Sequence, residues 1–410
     1  MKKNPLKSFS RRPAASAALL SLFVFALSSN ALPAVLLRAA DGLSVGIGTL
    51  AQVSTVQFIG FMIAAVVGGI VSDRVGKKLV LQVACGLLLA GSVVWSLAGS
   101  LSAAFVGGAL MGLGGGIIES MSTSVLSDMY PGRRKFLLNF SQIIYCLGAI
   151  AGPAVMSWLL PLGVSWRVCF AGIAVASLLL VVLYSRATLP SVSSQEERIH
   201  FEALKAIVRR RTVVLPCVAI FFYVLVEASL VMYGNAYLQT IHQAPERWAI
   251  AFISLFWIGM MLSRWGCAVI PERIPYVPLI VALLLLTALT LVLQQWASNW
   301  VSCLILLVLT GTALSGIWPL IVGLSAALNS RHSGTVLGIT IAAGSLGCVV
   351  APTLMNALFT YAPVRTIFPI LAIPLLLAAF ALLMTGRTND PSARDRSILS
   401  VSPDARDEDA

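Results

Sequence analysis

Two carboxylic acids lie inside long apolar stretches of this sequence. Glu119 stands in the segment GLGGGIIESMSTS, between glycines and small hydroxyl residues, and Glu227 stands in FFYVLVEASLVMYGNAYL. Taking a carboxyl group out of water favours its protonated form, so such a group can load a proton on one side of a barrier and release it where water returns. Both acids are therefore candidate proton carriers.

Amide and aromatic side chains could complete a binding site around these acids. Asn139 and Gln142 are three residues apart, which places both amides on one face of a helix, where they offer donors and acceptors to hydroxyl groups. Further polar tips and flat apolar walls come from Asn30, Tyr145, Tyr223, Asn235, Trp257 and Trp318. Each has a structural alternative: the acids and amides could join helices by hydrogen bonds, and the tryptophans could pack.

The composition indicates what kind of chain positions these residues. Of 410 residues, 58% are hydrophobic and only 11% are charged, whereas roughly a quarter are charged in soluble domains. The 28 Lys and Arg against 16 Asp and Glu give a net charge of +12, but the basic residues form short clusters between apolar runs. That distribution argues against a nucleic-acid partner and predicts an integral membrane protein in a lipid bilayer.

Twelve apolar runs are long enough to cross a bilayer, which takes about 20 residues. They lie near residues 16-37, 46-71, 79-99, 102-126, 136-160, 167-186, 213-239, 247-270, 276-295, 299-327, 334-359 and 364-385. Positive charge is concentrated in alternate connections, so the positive-inside rule places both termini in the cytoplasm. We expect an all-α protein of twelve transmembrane helices in a bacterial inner membrane.

The first run allows a second interpretation. Its basic start, apolar centre and small-x-small end are also typical of a cleaved signal peptide. Cleavage would leave eleven helices and break the repeat described next, so we favour its retention as the first helix.

The two halves of the chain repeat at an offset of 199 residues. The offset aligns Gly60 with Gly259, Gly112 with Gly311, the pair Asp73-Arg74 with Glu272-Arg273, and LGAIAGP (147-153) with LGCVVAP (346-352). Such repeats predict a transporter whose site lies near the bilayer midplane between the halves. The predicted units are two pseudo-symmetric six-helix bundles, a cytoplasmic linker with a basic amphipathic helix, and a disordered tail, at 1-186, 213-386, 187-212 and 387-410.

The loop after the second helix carries a motif. The segment GGIVSDRVGKK (68-78) resembles the loop signature of the major facilitator superfamily, and the repeat fits that family over nearly the whole chain. We expect Gly69 to let neighbouring helices approach closely, Gly76 to permit a tight turn, and Asp73 to cap a helix or bridge to another one. The resemblance implies a latch for the outward-facing state, formed by Gly69, Asp73, Arg74, Gly76, Lys77, Lys78 and Asp128.

Five further stretches are similar to the fucose:proton symporter branch of that superfamily. They are GLGGGIIES with FLLNFSQIIYCLGAIAGP, FFYVLVEASLVMYGNAYL with SLFWIGMMLSRW, and LSGIWPLIVGL. The resemblance implies that Glu119 contacts a sugar and exchanges a proton, with Asn139, Gln142 and Glu227 beside it. One departure leaves the coupling open: where the fucose carrier has an aspartate in the first helix, this chain offers Asn30. Uniport, sodium coupling, and proton coupling through Glu119 alone or Glu227 are the alternatives.

The remaining sequence favours a carrier rather than an enzyme. The seven cysteines form no CxxC pair, the three histidines form no ligand set, and no phosphate loop is present. We therefore expect no metal and no cofactor, only an ion gradient, a small-molecule solute and a monomer. An exporter of amphiphilic compounds and a sensor that binds solute without transporting it are the rival functions.

Overall fold

The computed structural model describes residues 13-129, 134-186, 209-268, 275-329 and 333-386. These residues form α-helices joined by short turns. The helices are α1 Pro13–Gly42, α2 Ile47–Val75, α3 Lys77–Ser96, α4 Leu101–Met129, α5 Arg134–Leu159, α6 Arg167–Arg186, α7 Arg211–Thr240, α8 Glu246–Ala268, α9 Tyr276–Leu293, α10 Trp300–Leu314, α11 Ile317–Leu328, α12 Ser333–Tyr361, α13 Ile367–Ile370 and α14 Ala372–Gly386. Most of the predicted linker and the whole predicted tail lie outside the described residues.

The twelve predicted spans are confirmed. Twelve stretches of the described residues are long and apolar enough to cross a membrane, with bounds within a few residues of those expected. Two spans are interrupted: α10 and α11 form the tenth, and α13 and α14 form the twelfth. The break in the tenth span falls at Ser315 and Gly316. There the Ser315 hydroxyl donates to the backbone carbonyl of Met260 in α8, which gives the break a partner inside the protein.

Close glycine contacts recur in both halves at the 199-residue offset. A Cβ added to Gly148 in α5 would collide with the Phe23 carbonyl oxygen of α1, and a Cβ added to Gly347 in α12 would lie 2.6 Å from the Phe221 carbonyl oxygen of α7. Small residues let membrane helices approach this closely. The repeated glycine thus makes the same helix contact in each half.

Two more aligned glycine pairs follow the same rule. In the first half, Gly60 of α2 lies against α4, and Gly112 of α4 lies against α2. In the second half, Gly259 of α8 lies against α10, and Gly311 of α10 lies against α8. The α2–α4 contact of the first half is therefore repeated as the α8–α10 contact. The residue bounds assigned to the two bundles stay predictions.

The first helix is an integral part of the first half. Its central window is 72% buried, the largest share among the twelve spans, and it packs against α4, α5 and α6 in its own half and against α7 across the interface. The Ser21 hydroxyl lies 3.0 Å from the Tyr184 hydroxyl of α6. Its packing thus matches that expected of the first helix of the repeat.

Among the described residues, side-chain hydrogen bonds join the two halves at one end of the helices and at mid-depth. We call the end with the Lys77 and Lys78 loop the basic end, and the other the opposite end. At the opposite end Arg38 of α1 donates to Glu246 of α8 at 2.7 and 2.8 Å. At the basic end, Lys77 donates to Ser124 within the first half. The interface is therefore closed at the opposite end.

Candidate functional site

Glu119 and Gln142 meet where α4 faces α5. The Gln142 amide donates to the Glu119 carboxyl over 3.4 Å. The second carboxyl oxygen, Oε2, is fully buried without a hydrogen-bond partner among the described residues. A buried carboxyl group with an unpaired oxygen is costly when ionised. The structure thus brings together two of the predicted site residues.

Glu227 of the second half faces the same region. The hydroxyl of Tyr223, one helical turn earlier on α7, lies towards the Glu227 carboxyl but is buried without a well-formed hydrogen bond to any described residue. The ring of Trp318 in α11 packs against Tyr223 at 6.4 Å between centroids. These three predicted residues therefore form a second group, contributed by α7 and α11.

Arg264 of α8 lies near both acids without forming an ion pair with either among the described residues, and it was not predicted from the sequence. Its guanidinium interacts electrostatically with Glu119 of the first half and with Glu227 of the second. It donates a long hydrogen bond of 3.8 Å to the Cys146 sulfur in α5. The available signal was an arginine within the predicted eighth span, which in a membrane helix is expensive and marks a functional site by default.

Three predicted residues join the halves beside this cluster. The Trp257 indole N–H donates to the Asn30 side-chain oxygen at 2.8 Å, and the Asn30 amide donates to the Ala26 carbonyl within α1. The Tyr145 ring of α5 packs edge-on against Trp257, with centroids 5.7 Å apart. Asn30 therefore binds an indole of the other half in this structure.

The described side chains do not place two further predicted site residues, Asn235 and Asn139, beside the acids. Asn235 lies about two turns from Glu227 towards the opposite end, and its buried amide donates to the carbonyls of Pro33 and Ala34 in α1, each at 3.2 Å. Its oxygen accepts from Gln239 at 2.8 Å. These bonds occupy both ends of the Asn235 amide in this structure, so its place among the solute-binding residues stays a prediction. Asn139 lies on α5, but its side chain is outside the described part, so its role stays a prediction.

The turn predicted at Gly76 is confirmed. Gly76 ends α2 with φ +88°, and its N–H donates to the Ser72 carbonyl. Glycine is favoured at such a positive φ because it has no Cβ. The expected close helix contact at Gly69 is wrong: a Cβ there would meet no atom within 4 Å, whereas at the neighbouring Gly68 it would lie 2.9 Å from Ile117.

The charged residues of the predicted latch are only partly visible. Arg74 is exposed, Lys77 donates to Ser124, and Lys78 donates to the Ser185 carbonyl at 3.0 Å. The side chains of Asp73 and Asp128 fall outside the described set. The latch therefore stays a prediction.

A separate cavity of about 190 Å³ lies at the opposite end, away from the acids. It is bounded by α2, α7 and α12, and its apolar lining includes Ile47, Tyr233 and Phe359. The Tyr233 hydroxyl donates to the Pro352 carbonyl at 3.3 Å. This cavity contains none of the predicted site residues.

Comparison with known proteins identifies the family. The sequence profile described as Major Facilitator Superfamily matches residues 15–282 and 248–402. The chain belongs to the major facilitator superfamily. Its twelve spans and its two repeated halves agree with this, and it is a multi-pass membrane protein.

Relatives of this superfamily member are distant and differ in their substrates. It is 24% identical to the "Multidrug transporter protein MdtP" of Bacillus subtilis (strain 168) over 30% of this chain and 23% of the relative. It is 25% identical to the "Probable triacylglyceride transporter" of Mycobacterium bovis (strain BCG / Pasteur 1173P2) over 46% of this chain and 38% of the relative. The matched stretches thus span less than two-fifths of these curated relatives.

Solved structures of major facilitator proteins share the fold over nearly the whole chain. The nucleoside transporter NupG matches with a TM-score of 0.77 at 14% identity, covering 91% of this chain and 99% of that structure. A D-xylose-proton symporter matches with a TM-score of 0.75 at 16% identity, covering 90% and 96%. At such identities the likeness shows the fold alone, and the fucose:proton symporter branch stays a prediction.

Proposed function

We propose that the protein is a proton-coupled carrier that takes up a sugar or a similar polar solute by alternating access. The observation that carries this proposal is the hydrogen bond between Gln142 and Glu119, in a cluster that also includes Glu227 of the other half. A carboxyl group next to an amide donor can bind hydroxyl groups and hold a proton. It is thus a carrier rather than an enzyme, and we propose that it works as a monomer without a cofactor.

The distribution of contacts between the halves supports alternating access. The Arg38 pair with Glu246 and the Asn30 pair with Trp257 join the halves from the opposite end to mid-depth. With the basic end in the cytoplasm, this conformation faces inward and can exchange solute with the cytoplasm. The reverse conformation requires these bonds to break and the latch at Asp73, Arg74 and Asp128 to close.

Export of amphiphilic compounds is the rival function. Its support comes from relatives named for multidrug and triacylglyceride transport, and from the aromatic walls that Phe25, Phe61 and Tyr145 form near Glu119's helix. A wide aromatic cavity suits apolar ligands. The polar cluster favours uptake of a polar solute instead, because an apolar ligand would leave buried acid and amide groups unpaired.

Purified protein in proteoliposomes distinguishes these functions. Hexoses and deoxyhexoses are added while the external pH is recorded, and counterflow of labelled sugar is measured in parallel. Uptake with a proton makes the external solution more alkaline. Glu119→Gln is expected to abolish the pH change while counterflow persists, since the amide keeps hydrogen bonding but cannot carry a proton.

The matched control is Asp41→Asn, which neutralises an exposed carboxyl in the same half. It should leave the pH change intact. If no solute produces a pH change or counterflow, while a proton gradient drives a cationic dye across the membrane in the direction opposite to the protons, export replaces uptake. Binding without either form of movement would instead support a sensor.

A further inference from the structure

Arg264 has hydrogen-bonding capacity that the described residues do not use. A guanidinium carries five N–H donors, and the one hydrogen bond recorded for it among the described residues goes to the weak acceptor sulfur of Cys146. Its Nε is fully buried and, within the described ranges, has no partner. A buried donor without an acceptor costs free energy. The arrangement therefore favours an additional acceptor.

Counting along α4 and α8 places Glu119 and Arg264 at a similar distance from the opposite end. Glu119 follows Leu101, the first residue of α4, and Arg264 follows Glu246, the first residue of α8, each by about 18 positions. Both helices begin at the opposite end, and this spacing corresponds to roughly 27 Å along a helix axis. Arg264 is partly buried as a residue, its Nε atom is fully buried, and its guanidinium donates across the interface to α5 of the other half. Arg264 is therefore a group of the interface between the halves, where an alternating-access carrier holds its solute.

The charges of this cluster do not balance when both acids are ionised. The titratable groups that interact with Arg264 come from α4, α5 and α7, and are Glu119, Tyr145, Cys146, Tyr223 and Glu227. Two carboxylates and one guanidinium leave one negative charge, and an uncompensated charge at this depth is costly. One proton makes the cluster neutral, while a second leaves the guanidinium without an anion.

We propose that the solute carries a carboxylate, which Arg264 binds when Glu119 and Glu227 are both protonated. This inference rests on the proposed proton-coupled uptake and refines its substrate class to a sugar acid, such as a hexuronate or an aldonate. In each cycle the second proton neutralises the remaining carboxylate of the cluster, and the guanidinium, which then has no anion nearby, pairs with the solute. One anion and one proton then move together without net charge.

The chemistry of the cluster suits such a solute. A planar guanidinium pairs with a carboxylate through two parallel hydrogen bonds, a geometry that lysine does not reproduce. The Gln142 amide, already next to Glu119, offers donors and an acceptor to hydroxyl groups. A neutral hexose would use the amide but leave the guanidinium without an anion.

The first test compares matched solutes with the wild-type protein in proteoliposomes. Glucose and galactose are measured beside glucuronate, gluconate and galacturonate, using labelled counterflow and external pH. We expect at least ~10-fold better counterflow for one of the acids than for its hexose, as a charge-assisted pair implies. Equal or better transport of the hexoses would leave proton-coupled sugar uptake standing and overturn the carboxylate inference.

The second readout is the response to membrane potential. With valinomycin and a potassium gradient of 100 mV, interior negative, a neutral sugar moving with one proton should accumulate up to ~50-fold more. A monoanion moving with one proton should show no change. If neither hexoses nor acids move, both the proposed function and this inference fail.

Variants of Arg264 assign the preference to that side chain. Arg264→Lys should reduce the ratio of acid to hexose counterflow by about 10-fold, and Arg264→Gln should abolish it. An arginine that only balances the two acids would instead lower transport of both solutes alike. Arg186→Gln, which removes an exposed arginine at the end of α6, is the control. If Arg264→Gln fails to fold, the wild-type solute comparison still decides.

Discussion

Arg38 of α1 and Glu246 of α8 form a two-point ion pair, with Nε–Oε1 and Nη2–Oε2 distances of 2.7 and 2.8 Å. It joins the ends of two helices from different halves. The Arg38 side chain remains 51% exposed, so water and salt screen the pair. The pair therefore contributes little free energy, but it forms only in the conformation that is closed at the opposite end.

Arg38→Gln should shift the balance towards the state that is open at the opposite end. An exposed pair contributes about 0.2–1 kcal/mol, which is a change of up to about 5-fold in the equilibrium constant. Spin labels on α1 and α8 and pulsed electron resonance would measure the populations. Glu246→Gln should give the same shift, and the double variant no more than either. Additive effects would contradict direct pairing.

Alanine at either repeated glycine should destabilise the protein to a similar extent. Gly148→Ala pushes against the backbone of α1, and Gly347→Ala pushes against the backbone of α7. Overpacking of this kind costs about 1–3 kcal/mol. Thermal unfolding in detergent would measure both. The control is Gly172→Ala, since a Cβ there meets open space. A loss at one glycine alone would contradict the structural equivalence of the halves.

Trp257→Phe should weaken the contact between halves at mid-depth. Phenylalanine keeps a ring against Tyr145 but removes the N–H, which leaves the buried Asn30 oxygen unpaired at a cost of about 1–3 kcal/mol. Thermal unfolding again gives the measurement. Trp318→Phe is the comparison, because that indole packs within the second half. If both variants lose equal thermal stability, the hydrogen bond between Trp257 and Asn30 contributes nothing measurable to the stability of the protein.

Stability should fall as the pH drops below the ordinary pKa of histidine because of His242. This residue lies in the turn after α7, and partial burial together with the charge of Arg365 lowers its pKa from 6.5. A group whose pKa is lowered in the folded state contributes stability above its unfolded pKa. That contribution is lost as the pH falls through the unfolded pKa, because the unfolded chain then binds the proton more readily than the folded protein. Thermal unfolding between pH 7.5 and about pH 5 would show the loss.

The matched variant for this pH dependence is His242→Gln. The ring of His242 packs beside Tyr237, with centroids 5.2 Å apart, so the variant loses some packing at every pH. It should nevertheless flatten the part of the profile near pH 6.5. An unchanged slope would assign the pH dependence to other groups.

Much of the fold followed from local sequence properties. Apolar length alone located the twelve spans, because a bilayer fixes how long a helix must be. The glycines at 148 and 347 indicated the repeat, since close helix contact requires small residues. Gly76 indicated its turn, because few other residues accept its φ.

The candidate site was less predictable, because its contacts depend on how the halves meet. Arg264 lies near the basic end of α8, where arginine commonly marks topology, and only the folded interface places it beside Glu119. Asn235 follows Glu227 on the same helix, yet its amide binds α1 instead. Gly69 and Gly68 are adjacent, and only packing distinguishes which one contacts α4.

The bonds across the interface have a consequence for how this protein can diverge. Asn235 donates to Pro33 and Ala34, Ser254 donates to Ile150, and Thr55 donates to Val349, in each case to a main-chain oxygen. A carbonyl persists whichever side chain its residue bears. The accepting positions can therefore mutate without matched changes in the donors, so pairwise sequence correlations would under-report these contacts between the halves.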